Sequence, residues 1–339
     1  MPELRTDPLT GHRVLLAPGR LHRPRARRRE PATPGGPDPG CPFCPGREGM
    51  TPPETDALRP DGSAPDHPGW RLRCVPNKYP AAAPGPVQET GSGPFAALSG
   101  GGYHEVLVDS PAHTEGLADL PDAQSAQALR MIQRRARAFF QDPGVRALAV
   151  FKNHGLAAGA SMAHSHLQLL ALPAAPLLAE RRRANEARHF KETGEPLLAH
   201  LANEELKRGE RIVEGGEGGA LVLCPYASRF PYQALILPWP AQASFLDAPA
   251  EALDALGAAL ARQLRRLKGL LGDPPLNVFL HLDGRDGSDP RAHPWHIEAF
   301  PRLAGLAGLE AAGGMHILEV SPEEAAGGLR EISGYAAST

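Results

Sequence analysis

Apolar and polar positions along the chain follow the same order twice. Alternating segments predict strands, and a longer segment with apolar residues every three to four positions predicts a helix in each copy. In the first copy, the strands fall at residues 70–75, 102–108, 147–151 and 166–173. The helix falls at residues 121–141, and a glycine-containing loop at residues 155–161 precedes the last strand. In the second copy, the corresponding strands and helix fall at residues 220–224, 233–238, 249–271, 277–281 and 293–301. The repetition predicts an α+β fold of two related halves, residues 1–178 and 179–339, joined by a helical stretch near 178–208.

Composition and charge exclude several classes of partner. The chain has 339 residues, of which 42% are apolar and 22% charged, and this is enough for one large or two ordinary domains. The formal net charge of −2 gives no broad attraction to nucleic acid or to an anionic membrane. No apolar run reaches the ~18 residues of a membrane span, and the N-terminus lacks the apolar stretch of a signal peptide. We therefore expect a cytoplasmic protein.

Residues 18–69 are rich in proline, glycine and arginine and show no sustained periodicity. They predict an irregular segment that lies on the surface. The segment contains a basic run at residues 21–29, for which a solvated loop is the simpler interpretation. A stretch that contacts phosphate is the alternative.

The strongest chemical signal is the run of His164, Ser165, His166, Leu167 and Gln168 at the start of the last strand of the first copy. Side chains alternate across a strand, so His164, His166 and Gln168 are expected on one face, and Leu167 and Leu169 on the core face. Inert polar residues on an edge strand would give the same pattern. Three polar groups in register after a glycine loop instead favour a site, since an imidazole with one free nitrogen can attack phosphorus.

A Cys-x-x-Cys pair at Cys41 and Cys44 has the spacing of metal ligands. It supplies half of a tetrahedral site, and no second pair of this kind occurs in the chain. His113 and His164 are candidates for the other two ligands. A reduced turn without metal is the equal alternative on spacing alone.

The second copy ends in a strand that carries His296 and Glu298 on one face, and His281 ends the strand before it. This set could form a second metal site, although a satisfied histidine and a surface glutamate explain it as well. Asn77 and Asn153 lie near strand ends, where asparagine ordinarily forms turns.

In order along the chain, these residues resemble the galactose-1-phosphate uridylyltransferases, the transferase branch of the histidine-triad superfamily. The resemblance covers nearly the whole chain and rests on an ordered set of segments, at residues 7–11, 41–44, 76–79, 153–168, 225–231 and 293–301. It implies two tandem histidine-triad-like repeats that form a mixed, largely antiparallel half-barrel sheet with flanking helices. It also implies a homodimer.

The resemblance implies a ping-pong reaction that belongs to galactose metabolism. His166 would attack the α-phosphate of UDP-glucose, glucose 1-phosphate would leave, and galactose 1-phosphate would then take the UMP group from the uridylyl-histidine. Gln168 would hold the transferred phosphate, so that His166 and Gln168 are the catalytic pair. The nucleotide and phosphate contacts map onto Asn77, Asn153, Ser161, Gln168, Arg20 and Arg23, the two arginines often acting from the partner subunit.

The metal positions of the family also map onto this chain. A structural zinc would be held by Cys41, Cys44, His113 and His164, and a second zinc or iron site maps onto His281, His296 and Glu298. Arg182 stands about where the second site requires an acidic ligand.

Two alternatives follow from the same residues. Ser165 stands where well-known uridylyltransferases have proline, and the run at 160–166 is closer to the ADP-glucose phosphorylase branch, which moves AMP from ADP-glucose to phosphate. A nucleotide-binding or metal-binding protein without catalysis is the alternative from another class, and the joint presence of Ser161, His166 and Gln168 argues against it. A hydrolase is a third reading, which Gln168 disfavours.

Overall fold

The structure, a computed structural model, describes residues 2–22, 40–113, 115–116, 118–282, 284–285 and 287–332. The strands in these residues are β1 (Glu3–Thr6), β2 (Arg13–Leu16), β3 (Asp56–Leu58), β4 (Leu72–Pro76), β5 (Glu89–Thr90), β6 (Ala97–Leu98), β7 (Tyr103–Val108), β8 (Ala147–His154), β9 (His166–Leu172), β10 (Ile212–Gly215), β11 (Ala220–Leu223), β12 (Ala234–Pro238), β13 (Leu276–His281), β14 (His296–Pro301) and β15 (Met315–Leu318). The helices are α1 (Asp122–Phe139), α2 (Leu177–Thr193), α3 (Leu197–Arg208), α4 (Ala250–Leu271), α5 (Gly308–Gly313) and α6 (Pro322–Glu331).

One ten-stranded sheet organises the chain, with the order β10-β11-β12-β14-β13-β8-β9-β7-β4-β3. Each neighbouring pair in this sheet is antiparallel. From the central β8–β13 pair outward, the order of β8, β9, β7 and β4 on one side matches that of β13, β14, β12 and β11 on the other. The prediction of an α+β fold with a largely antiparallel sheet is confirmed.

Side-chain alternation gives the sheet two different faces. On β9, Leu167, Leu169 and Ala171 lie in the main core together with residues of α1 and α4. His166 and Gln168 therefore lie on the opposite face, away from these helices. The predicted orientation of Leu167 and Leu169 toward the core is confirmed.

The opposite face is covered in part by α2 and α3, which together occupy the helical stretch expected near residues 178–208. Leu197 and Leu198 of α3 pack on Leu221 and Leu235 of the sheet. Within the described residues, no helix is both long enough and apolar enough to cross a membrane.

The periodicity of the sequence did not predict a three-stranded sheet formed by β1, β2 and β15. β1 and β2 are antiparallel, whereas β15 pairs in parallel with β2 from the other end of the chain. These four-residue strands are too short to show a clear period. The segment 18–69 is irregular as expected where the structure describes it, apart from β3 and short 3-10 turns at Pro18–His22 and Glu48–Met50.

The two long helices on the core face approach closely at Gly257 of α4. A Cβ atom at this position would lie 2.4 Å from the backbone nitrogen of Ala126 and 2.6 Å from its Cα. Backbone atoms of α1 cannot yield as the end of a flexible side chain would. Glycine is therefore required here by packing between the helices.

We expect Gly257→Ala to lower the free energy of unfolding by roughly 1–3 kcal/mol, because the added methyl group forces α1 and α4 apart. Gly327→Ala in α6 is the matched control, since its nearest neighbour, Arg330 Nη2, lies 4.0 Å from the new Cβ. The control should raise stability by about 0.5–1 kcal/mol through helix propensity alone. Urea unfolding followed by circular dichroism measures both, and equal stability of the two variants would contradict the packing argument.

Candidate active site and metal centre

Four residues from separate parts of the chain meet beside the start of β9. They are Cys41 and Cys44 of the irregular segment, His113 of the loop after β7, and His164 of the loop before β9. One ligand atom from each lies within 4.8 Å of the others. The Cys-x-x-Cys spacing identified only two metal ligands, and the structure places the two candidate histidines beside them.

The spacing of these atoms fits zinc. The nitrogen Nδ1 of His164 lies 3.5 Å from the sulfur of Cys41 and 3.6 Å from that of Cys44, and Nδ1 of His113 lies 3.4 Å from the sulfur of Cys44. A tetrahedral zinc with bonds of about 2.3 Å to sulfur and about 2.1 Å to nitrogen places such donors about 3.6 Å apart. The other ring nitrogen of His164 donates to the carbonyl oxygen of Ser110 at 2.8 Å, which leaves Nδ1 for a metal.

His166 begins β9 and has a different environment. Its Nδ1–H donates to the carbonyl oxygen of His164 at 2.9 Å, and the ring of Phe43 lies 5.4 Å away, centroid to centroid. No group in the described part of the chain hydrogen-bonds to Nε2. Burial lowers the pKa of His166, and the nearby Lys152 ammonium acts in the same direction against the hydrogen bond to His164. The ring is therefore neutral at pH 7, with a lone pair on Nε2.

The motif histidines do not share one strand face as expected. β9 starts at His166, so His164 lies in the preceding loop, where its buried ring joins the cysteines. Because His164 lies in this loop and His166 lies in the strand, the ring of His164 faces the two cysteines and the ring of His166 keeps Nε2 free.

A buried ion pair under the backbone of Ser165 and His166 was missed by the sequence analysis. Lys152 of β8 is only 3% exposed, and its ammonium donates to a carboxylate oxygen of the fully buried Asp109 at 2.8 Å. It also donates to the hydroxyl of Ser165 and, at 3.3 Å, to the carbonyl oxygen of His166. A buried pair is costly unless its remaining donors are satisfied, and here the hydroxyl of Ser165 and the carbonyl oxygen of His166 accept from the ammonium.

A second missed residue, His104 of β7, contacts Gln168. The backbone N–H of Ala81 donates to Nδ1 of His104 at 3.0 Å. Since a backbone amide can only donate, Nδ1 carries no proton in the neutral ring, and the proton is on Nε2. That Nε2–H donates to the side-chain oxygen of Gln168 at 3.0 Å, so the amide NH2 of Gln168 is directed away from His104.

The other expected contact residues are only partly brought together. Asn77 Nδ2 lies 3.3 Å from His104 Nε2, and the oxygen of Asn77 accepts from the backbone of Tyr79 in a turn. Asn153 follows Lys152, which pairs with Leu167, and therefore lies beside His166 on the same face.

The glycine loop after β8 is held from the second half of the chain. Asn277 of β13 donates to the side-chain oxygen of Asn153 at 2.8 Å and to the carbonyl oxygen of Ala158 at 2.9 Å. Gly159 ends the 3-10 turn Leu156–Ala158 with a φ of +87°, a conformation that favours glycine. Nothing in the sequence pattern had singled out Asn277.

Ser161 and Arg20 are exposed, and Arg23 lies outside the described residues. Ser161 follows the glycine loop, and Arg20 belongs to the 3-10 turn Pro18–His22. Among the described residues, no hydrogen bond or ion pair joins Arg20 to the cluster around His166.

The corresponding residues of the second half form an ion-pair network. His281 Nε2 donates to one carboxylate oxygen of Glu298 at 2.9 Å, and Arg229 donates to the other at 2.7 Å. Burial alone would raise the pKa of Glu298, but Arg229 and His281 hold it well below its usual value. The His281 and His296 rings stack with centroids 4.6 Å apart.

These residues do not fit the second metal that the resemblance implies. Among the described residues, His281, His296 and Glu298 are not gathered as a cluster of metal ligands, unlike the cysteine–histidine set. Arg182 of α2, only 4% exposed, lines the same cavity of about 60 Å³ as these three residues. A guanidinium at this position supplies the positive charge that a metal would bring, and it repels a divalent cation.

Comparisons with known proteins agree with this arrangement. The sequence model of the family described as galactose-1-phosphate uridyl transferase, N-terminal domain, matches residues 1–176. The chain belongs to this family. Among its relatives, an ADP-glucose phosphorylase of Arabidopsis thaliana is 33% identical over 98% of this chain and 93% of that protein. A galactose-1-phosphate uridylyltransferase of Thermotoga maritima is 27% identical over 98% of both chains.

Solved structures of the family share the whole architecture. The crystal structure of the Arabidopsis thaliana ADP-glucose phosphorylase with bound ADP-glucose superimposes with a TM-score of 0.82 at 28% identity, over 98% of this chain and 99% of that chain. The family and the fold agree on a nucleotidyltransferase.

We expect the purified protein to contain about one tightly held zinc per chain after brief dialysis against EDTA, and Cys41→Ser to lose it. The reason is that this change removes one of the four ligands, and Cys41 is itself buried. Elemental analysis measures the metal. Cys224→Ala is the matched control, since burial raises the pKa of the Cys224 thiol to about 12 and the residue lies in the main core. A folded wild type without metal, or a Cys41→Ser variant with full metal, would refute the site.

Proposed function

We propose that the protein transfers a nucleoside monophosphate from a nucleoside diphosphate hexose through a covalent intermediate on His166. The observation that carries this proposal is the environment of the ring, with Nδ1–H bonded to the His164 carbonyl and Nε2 without a partner. The Nε2 lone pair forms a bond to the α-phosphorus while the bond from phosphorus to the oxygen of hexose 1-phosphate breaks. The leaving hexose 1-phosphate keeps the electron pair. A second phosphate acceptor then reverses the step and frees His166.

The surrounding groups have separate tasks in this proposal. The Gln168 amide donates to an oxygen of the transferred phosphate, and the glycine loop with Asn153 and Ser161 supplies further donors. A zinc held by Cys41, Cys44, His113 and His164 would have four protein ligands and therefore a structural role. It would hold His164 in place and so fix the loop that leads to His166.

Adenosine is the nucleoside of the donor that is best supported. The ADP-glucose phosphorylase relative has the higher identity, 33% against 27% for the Thermotoga maritima uridylyltransferase. Ser165 points the same way, because the run at 160–166 is closer to that of the ADP-glucose phosphorylase branch, whereas the well-known uridylyltransferases have proline at this position. We therefore place ADP-glucose first as donor with inorganic phosphate as acceptor. UDP-glucose with galactose 1-phosphate, expected from the motif, is the second candidate and is supported by the family that the chain belongs to.

The organisation of the whole enzyme is part of the proposal. Residues 1–178 and 179–339 would be two copies of one unit, which the equal strand order in the two halves of the sheet supports. A homodimer would bring Arg20 and Arg23 to the phosphate groups of the partner's site. The exposure of Arg20 in the single chain is consistent with that use.

The first experiment is isotope exchange. Purified protein is incubated with labelled glucose 1-phosphate and either ADP-glucose or UDP-glucose, and label in the nucleotide sugar is measured. We expect exchange with ADP-glucose, and none in His166→Gly. A preformed adenosine phosphorimidazolide should restore product formation in that variant because it replaces the missing intermediate.

Each other outcome of the exchange decides something. Exchange with UDP-glucose alone would move the donor to the second candidate and keep His166 in its role. Exchange by His166→Gly at the wild-type rate would exclude His166 as the nucleophile. Absence of exchange with both sugars in a zinc-loaded protein would exclude the proposed function.

We further propose that His104 orients Gln168. The tautomer fixed by Ala81 makes His104 a donor to the Gln168 oxygen, so the amide must present its NH2 to the phosphate. We expect Gln168→Ala to lower kcat by ~100-fold, as loss of one donor to the transition state does. His104→Phe should lower kcat by ~10-fold with little change in KM, because the amide then rotates freely.

A double-mutant cycle tests this dependence. If His104 acts only through Gln168, adding His104→Phe to Gln168→Ala should cause no further loss of kcat. A further tenfold loss in the double variant would show that His104 has a general structural role and would overturn its assignment as a positioning residue.

A further inference from the structure

We propose that His189, Glu195 and His200 form an exchangeable site for a divalent transition metal such as zinc. These residues belong to α2, to the turn after it and to α3. One ligand atom of each lies within 4.8 Å of the others. The cluster is separate from the active site and from the cysteine–histidine centre.

The two imidazoles have the spacing seen at the other centre. The ring centroids of His189 and His200 are 5.2 Å apart, and those of His113 and His164 are also 5.2 Å apart. Nδ1 of His200 lies 3.1 Å from a carboxylate oxygen of Glu195. Small side-chain rotations therefore suffice to place three donors around one ion.

The nitrogen Nε2 of His189 supports a ligand at this place. It is buried, and no described group hydrogen-bonds to it. A buried polar nitrogen without a partner is costly. Coordination of a metal by this atom would remove that cost.

The chain geometry holds the three residues together. Gly194 follows the last residue of α2 in the left-handed conformation, with φ +75°, and Pro196 immediately precedes α3. Glu195 between them is held by Asn203, whose side-chain amide donates to its second oxygen at 3.3 Å. The carboxylate is thus oriented by protein contacts before any ion binds.

The donor set defines the kind of ion. Two imidazoles and one carboxylate favour zinc, cobalt, nickel or copper over calcium and magnesium. His200 and Glu195 side chains are 44% and 42% exposed, so water completes the coordination and the ion exchanges with solvent. A bound ion would tie α2 to α3, the two helices that cover the sheet face opposite α1 and α4.

The test uses the full chain without a histidine tag. Brief dialysis against EDTA removes exchangeable ions, and Co²⁺ is then titrated by isothermal calorimetry and visible absorption. We expect one equivalent to bind with a micromolar Kd and to give weak visible bands. Cobalt at the cysteine–histidine centre would instead add intense thiolate bands in the near ultraviolet. Zinc should compete for the site and raise Tm by a few degrees.

His189→Gln and His200→Ala should each lower the affinity for Co²⁺ at least tenfold. His154→Ala is the matched control, because His154 lies 3.1 Å from Asp273 in a histidine–carboxylate pair outside the ligand clusters found in the described residues. It should bind Co²⁺ like the wild type. Failure of the stripped wild type to bind at 100 µM free Co²⁺, on the order of a hundredfold above the expected Kd, would overturn the site. Wild-type affinity in both folded histidine variants would overturn it as well.

Discussion

The backbone from His164 to His166 is held from three directions, and the chemistry of the site depends on it. His164 is drawn to Cys41 and Cys44, Lys152 donates to Ser165 and to the carbonyl of His166, and β9 pairs on both sides with β7 and β8. The carbonyl of His164 is thereby placed to accept from Nδ1 of His166. The orientation that leaves Nε2 of His166 without a partner depends on this backbone position. A shift of the turn at residues 164–166 would rotate the ring out of this orientation.

The buried charge of Lys152 shows how the fold and the site depend on each other. An ammonium that is only 3% exposed requires a carboxylate and further acceptors, and Asp109 and the turn provide them. Loss of either partner would leave a charge without compensation in the interior. The hydrogen bonds from Lys152 to Ser165 and to the carbonyl oxygen of His166 therefore stabilise both the ion pair and the backbone that positions His166.

Equivalent positions in the two halves of the sheet have different side chains and different roles. In the first half, Gln168 meets a neutral His104 and a cluster that fits zinc, whereas in the second half Glu298 is held by Arg229 and His281. Arg182 adds a second buried cation beside His296. The second half contributes to the site mainly by holding its parts in position, since Asn277 donates a hydrogen bond to the carbonyl oxygen of Ala158 in the glycine loop.

Local pattern determined much of this protein. Alternation and helical spacing predicted β4, β7, β8, β9, β11, β12, β13 and β14 and the helices α1 and α4 to within a few residues, because burial of one face requires a period of two or of 3.6. The motif at 164–168 and the Cys-x-x-Cys pair identified the residues around which the site is built. The spacing of the cysteines left the other two zinc ligands open and only the family resemblance named them, so it was the tertiary structure that brought the four proposed ligands together. Tertiary structure alone decided that β1 and β2 pair with β15 from the opposite end of the chain. It also decided the partners of Lys152 and His104, because these hydrogen bonds join segments that are distant in sequence and become neighbours only in the folded sheet.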